Sequence, residues 1–152
     1  MADYGARGKD LRQGELITLF PAAVYVTAAA AATGTAVYLG GERLRYLWVL
    51  TLTNAGDNVA DTLDVFIDFS MDNTTWINAV HFTQILGNGA DALTFYASSV
   101  PTSTTTTPAI TADAAVGTCR PALIGPYVRG RYALVNGGGT HTFTFSLVGY
   151  AQ

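Results

Sequence analysis

Strict alternation near the C-terminal end constrains this chain more than any other feature. Residues 126–150 read PYVRGRYALVNGGGTHTFTFSLVGY. In the second half, His141, Phe143, Phe145 and Leu147 fall on one side. Thr142, Thr144, Ser146 and Val148 fall on the other. A period of two is the mark of a half-buried strand. In the first half, Val128, Tyr132 and Leu134 run out of phase with Arg129 and Arg131. Asn136 and Gly137 to Gly139 supply residues that tolerate positive φ, so the two strands are expected to form a tight hairpin. This hairpin is expected to close the core, and its removal to open it.

Upstream, the same period and the same punctuation recur. Residues 16–27 (LITLFPAAVYVT) read as a strand interrupted by Pro21. Proline donates nothing to a ladder, so the segment is an edge strand or two short strands with a bend. Residues 28–36 are an alanine run that fits a short helical turn or a loop against the sheet. Residues 36–39 and 46–53 are further strands. The second (YLWVLTLT) is apolar on both faces and is expected to be central. In residues 62–70, Leu63, Val65, Ile67 and Phe69 point one way and Asp64 and Asp68 the other. Trp76 opens a strand that continues, kinked, to Leu86, and a further strand covers 93–96. Many short strands between Gly, Asn and Asp turns predict an all-β, single-domain antiparallel β-sandwich or jelly-roll-like barrel spanning 16–152.

Two segments stand apart. Residues 1–15 hold Asp3, Arg7, Lys9, Asp10, Arg12 and Glu15 among three glycines, with no apolar period. They read as a flexible arm suited to following a neighbouring surface. Tyr4, Arg7, Lys9, Arg12 and Glu15 are its candidate contact residues. Residues 97–118 include SSVPTSTTTTPAITADAA, a Thr-rich loop whose hydroxyls and methyls offer contact and no chemistry.

Composition bears on partners. The 152 residues are 12% charged and 49% apolar, with a net charge of −3. That leaves two readings: a surface largely covered by partners, or a large sandwich filled with small alanines. The negative balance argues against general nucleic-acid binding, which needs a basic face. No apolar run is suited to spanning a bilayer, so no membrane role is expected.

The search for chemistry finds little. Cys119 is the single cysteine, so no intrachain disulfide forms, and a small buried thiol is expected. Asp57, Asp61, Asp64, Asp68 and Asp72 cluster with Asn54, Asn58 and Asn73, but not in the order of a calcium loop. Solvated turn and strand residues are the expected reading. His81 and His141 are candidates to pair with an aspartate, yet two histidines and one cysteine are too few for a zinc site. No catalytic residue, metal or cofactor is assigned. Trp76 and Tyr127 are placed to stack on a sugar ring in a carbohydrate-binding module, though aromatics in strands more often build core.

At FSMDNTTW (69–76) and GPYVRGRYALVNGGGTHTFTFSLVGYA (125–151) the chain resembles the head decoration proteins of tailed bacteriophages, also called auxiliary or cement proteins. The resemblance rests on Pro126, Tyr127, Arg129, Phe143, Phe145, Gly149 and Tyr150. It implies a structural virion protein on the capsid exterior, made in the host cytoplasm. It also implies a homotrimer at three-fold sites, with the major capsid protein as partner. An arm or loop would reach the capsid subunits, adding a strand to a neighbour's sheet edge. Similar segments occur in tail and fibre subunits, which is the alternative within the same class.

Overall fold

The computed structural model describes residues 14–26, 31–40, 45–56, 58–87, 93–99, 113–120, 125–138 and 142–151. These form strands throughout, with no helix among them. In chain order the strands are β1 (Glu15–Val26), β2 (Ala31–Thr33), β3 (Val37–Tyr38) and β4 (Tyr46–Asn54). There follow β5 (Thr62–Ser70), β6 (Trp76–His81), β7 (Ile85–Leu86) and β8 (Leu93–Ser99). The last three are β9 (Thr118–Cys119), β10 (Tyr127–Val135) and β11 (Thr142–Ala151).

Two antiparallel sheets face each other as a sandwich. The smaller runs β1-β11-β4-β8, and the larger runs β2-β10-β5-β6-β9, with β3 on β10 and β7 on β5. Alternation drives the arrangement. Phe143, Phe145 and Leu147 of β11 and Val128, Tyr132 and Leu134 of β10 are all buried. Each strand turns these residues to the shared interior, where Trp48, Leu50, Leu63, Val65, Ile67 and Phe69 complete the core.

The expected hairpin is absent. β10 lies between β2 and β5 in the larger sheet, and β11 lies between β1 and β4 in the smaller one. The connection arches from one sheet to the other. Tyr132 and Phe145 therefore meet across the interior, edge to face with centroids 5.6 Å apart. Alternation is the same whether two strands pair side by side or face each other, so the sequence pattern does not separate the cases. Both strands pair on both sides, and that is why this end of the chain organises both sheets.

Other expectations divide. β1 is an edge strand, and its pairing with β11 shifts register between Thr18 and Phe20 and between Phe20 and Ala23. These bulges turn consecutive residues Leu19 and Phe20 inward and leave Pro21 outside the ladder. Ala31–Thr33 is a strand on β10 and neither helix nor loop. A strong helix former is overridden there by an open sheet edge. β4 is internal as expected, yet only one of its faces is fully buried, and Leu47 is 43% exposed. Residues 97–99 continue β8, so the Thr-rich segment begins later than its composition suggests. Glu15, counted with the arm, opens β1. Tyr4, Arg7, Lys9 and Arg12 lie outside the described residues, as do His141 and Asp57.

Candidate functional site

The two outer faces of the sandwich differ in kind. The outer face of the larger sheet gathers charge. Register sets Arg129 opposite Asp68 and Asp68 opposite Asn78. Asp68 is 2% exposed and is fully engaged. Its Oδ2 accepts Nε of Arg129 at 3.2 Å and Nε of Arg131 at 2.9 Å, and its Oδ1 accepts Nδ2 of Asn78 at 3.0 Å. The guanidinium of Arg129 lies 4.2 Å from the Trp76 ring centroid, and that of Arg131 lies 4.1 Å from Phe66. Planar cations on ring faces add a cation–π attraction. Arg131 also donates to Asp113. Burial alone would lower its pKa, but bonding to Asp68 and Asp113 outweighs burial and raises it. Asp68 is therefore no solvated strand residue. Two arginines two positions apart on β10 hold it under cover.

Asn78 and His81 fasten the segment from Asp113 to Cys119 over this face. Register steps by one residue between Ile67 and Asp68, which leaves Ala79 as the extra residue of a bulge in β6. Asn78 Nδ2 fills that bulge by donating to Ile67 O at 3.2 Å and Val80 O at 3.0 Å. Its Oδ1 accepts the amide of Ala114 at 2.8 Å. His81 Nδ1 lies 3.0 Å from Ala114 O, and Nε2 lies 2.8 Å from Asp64 Oδ1. Both partners are oxygen acceptors, and the two contacts fix the orientation of the ring between Asp64 and Ala114. The expected pairing of His81 with an aspartate is thus found, and the ring is spent on holding structure. Arg120 completes the fastening, its amide donating to Ala79 O at 2.7 Å.

At the end of the same face is an aromatic row. Tyr38 pairs with Tyr127, Tyr127 with Ser70, and Ser70 with Trp76. All four residues point outward. Tyr38 is 66% exposed and its ring centroid is 5.0 Å from that of Tyr127. Trp76 and Tyr127 stand two inter-strand spacings apart, about 10 Å. Beside the row, Asp72 caps a turn by accepting the amides of Thr74 at 2.9 Å and Thr75 at 2.7 Å. Those bonds, Thr75's first, hold its carboxyl well below the usual carboxylate range. Sequence reasoning found Trp76 and Tyr127 and missed Tyr38. Its strand is two residues long and too short to show a period.

Two expectations about single residues are corrected. Cys119 is exposed, because β9 is an edge strand of two residues and leaves its side chains outside the core. It borders a small cavity of about 90 Å³ with Val80, His81, Phe95 and Thr118. Asp61 is fully buried, with Oδ1 accepting the Gly137 amide at 2.7 Å. It ties the 54–61 turn to the start of the β10–β11 arch, where a solvated turn residue was expected. Among the described residues no three His, Cys, Asp or Glu side chains converge as a metal site would require.

The strands of the smaller sheet turn apolar and hydroxyl side chains outward, with Arg45 exposed just before β4 in phase with Leu47. β1 contributes Leu16, Thr18 and Val24, and β4 contributes Leu47, Val49, Thr51 and Thr53. β11 contributes Thr142, Thr144, Ser146, Val148 and Tyr150. Leu16, Tyr150 and Leu47 pair into one row across three strands, and Thr18, Val148 and Val49 form the next. Leu16 is 70% exposed, Tyr150 44% and Leu47 43%. Scattered exposed apolar residues are ordinary; here three of them stand in one contiguous row. Comparison with known proteins adds no guide: no protein-family model, no curated protein and no solved structure matches this chain.

Proposed function

We propose that this chain is a structural virion protein that decorates and stabilises the outside of a tailed-phage capsid as a trimer. The observation that carries the reading is the outer face of the smaller sheet. It is partly apolar, low in charge and built on β11 and β4, which pair on both sides, as suits a surface for protein contact. The resemblance at 69–76 and 125–151 supplies the virion context. Most of the residues that carry it build the sandwich: Phe143 and Phe145 are core, and Gly149 lies under Trp48. Tyr150 lies on the contact face. A protein that binds only the assembled shell stabilises it by linkage, and no chemistry is required.

The partner in this reading is the major capsid protein, reached by the arm that precedes β1. The test is co-sedimentation with purified capsids. Deleting residues 1–13 is expected to abolish binding and to leave the β-sheet circular dichroism unchanged. Undiminished binding by the shortened chain would remove the arm from the reading. A full-length chain that binds no capsid would remove the reading itself.

One observation favours a second reading. The row Tyr38–Tyr127–Ser70–Trp76 sets three aromatic side chains along the other outer face, and sugar rings stack on exposed aromatics. A carbohydrate-binding module should lose glycan binding on Trp76→Ala, and a glycan array without hits would dismiss it.

A further inference from the structure

We infer that Asn136 is a modification site of this chain, and that the buried Asp61 carboxyl keeps it unmodified while the fold is closed. Asn136 is followed by Gly137. An asparagine before glycine is especially prone to lose its side-chain amide, because no Cβ on the following residue hinders attack by the backbone nitrogen. The other Asn–Gly step, Asn88–Gly89, lies outside the described residues.

The chemistry is a cyclisation. The Gly137 nitrogen gives its proton to water and attacks Cγ of Asn136. A new N–C bond forms, and the bond from Cγ to the side-chain nitrogen breaks. That nitrogen takes up a proton and leaves as ammonia, and a cyclic imide remains. Water then opens either carbonyl of the imide and returns an aspartyl or isoaspartyl residue at position 136. Nothing is oxidised or reduced, and water is the only co-reactant.

Both partners of that attack are held. The Gly137 N–H donates to Oδ1 of Asp61 at 2.7 Å, and Asp61 is fully buried. The proton that must leave is therefore engaged by a covered acceptor. The Asn136 side chain is engaged as well, its Oδ1 accepting the Gly138 amide at 2.7 Å. Packing opposes rotation of the backbone between them. A Cβ at Gly137 would stand 2.1 Å from Cβ of Ala60 and 2.6 Å from its carbonyl carbon, so the chain lies against the 58–61 turn without a gap. Asn58 ties the same turn to the arch again, its Nδ2 donating to Gly138 O at 3.1 Å. Asn136 itself is exposed, so water reaches it whenever the arch lifts. The rate in the folded chain is then the unfolded rate multiplied by the fraction of time the arch is open. An isoaspartyl product lengthens the main chain by a methylene, for which the contact with Ala60 has no room. A brief opening of the connection between the sheets thus becomes permanent.

The experiment follows loss of the Asn136 amide by mass spectrometry. The full-length chain is incubated at mildly alkaline pH, folded and in guanidinium chloride. Cleavage after Arg131 releases residues 132–152, in which Asn136 is the one asparagine. Conversion in the folded chain is expected to be slower than in guanidinium by about tenfold or more, the factor that a single hydrogen bond contributes. Asp61→Ala, checked for folding by circular dichroism, should convert about tenfold faster than the native chain in buffer. Val128→Ala is the control: it removes core at the far end of β10 and should convert at the native rate. Equal rates for the native chain, folded and unfolded, overturn the inference. So does a Val128→Ala chain as fast as Asp61→Ala, which would assign the protection to overall stability. Where Asp61→Ala does not fold, hydrogen exchange at the Gly137 amide of the native chain decides. Protection there supports the bond to Asp61, and exchange at the unfolded rate overturns it.

Discussion

Asp68 and Arg131 form a covered ion pair on the outer face of the larger sheet, Nε to Oδ2 at 2.9 Å with the carboxylate side chain 3% exposed. Asp68→Ala would take the shared carboxylate from both guanidiniums and leave Arg131 with Asp113 alone. Loss of one partner of a buried pair costs about 3–5 kcal/mol. Both arginine side chains keep about a quarter of their surface in water, so the expected loss is near the low end, about 3 kcal/mol. Urea unfolding measures it. Arg131→Lys should cost less but still destabilise, because an ammonium cannot reach Asp68 and Asp113 with one planar fork.

Gly149→Ala tests the packing of Trp48. A Cβ at position 149 would stand 2.1 Å from Cζ3 of that ring. Trp48 is fully buried and stacked against Tyr46 at 5.7 Å, so it has no room to yield. Overpacking of this kind typically costs 1–3 kcal/mol, and a loss of about 2 kcal/mol is expected. Thermal unfolding of the variant checks it; a stability equal to the parent would mean that the ring moves freely.

The pH dependence should carry a signature of Asp72. Its carboxyl is held below the ordinary range by the amides of Thr75 and Thr74 and by the Thr74 and Ser70 side chains. The unfolded chain therefore takes up this proton first as pH falls. The contribution to stability is complete above the ordinary carboxylate pKa and is lost as pH drops towards the depressed native value. Comparing the parent with Asp72→Ala, the stability difference should be largest near neutrality and shrink below about pH 4. A difference that grew with acidity would reverse the sign and refute the assignment.

Much of the sandwich was legible, and the parts that were not have physical causes. Phe143, Phe145 and Leu147 announced a strand correctly because burial on one face enforces a period of two. The same period is silent on which sheet a strand joins, so β10 and β11 read as neighbours while they oppose each other. Asp68 and Arg131 were seen to lie off the apolar face. Their mutual burial was not, because the segment that covers them, Asp113 and Ala114, is distant in sequence. Trp76 and Tyr127 share one outer face through their register with Ser70, a relation that no single strand displays. The apolar row of the smaller sheet is hinted at by the low overall charge, but only the pairing of Leu16, Tyr150 and Leu47 makes it a patch.

Asn78 offers the sharpest test of how the covering segment is held. Its Oδ1 accepts the Ala114 amide at 2.8 Å, and its Nδ2 donates towards Ile67 O, Val80 O and Asp68 Oδ1. Asn78→Ala removes all of these and leaves a buried amide and carbonyls with lost partners. Each such group costs about 1–3 kcal/mol, so a loss of about 3 kcal/mol in total is expected. Hydrogen exchange at the Ala114 amide should accelerate beyond what global destabilisation explains. Asn78→Asp preserves shape and keeps the acceptor for Ala114. It replaces the donor with a carboxylate oxygen facing Asp68 Oδ1, where the native separation is 3.0 Å. Like charges at that distance under cover repel strongly, so the isosteric variant should be less stable at neutral pH than the truncated one. Urea titrations of the two variants at neutral pH decide it. The opposite order at neutral pH would mean that Asp68 is not held in place by Asn78.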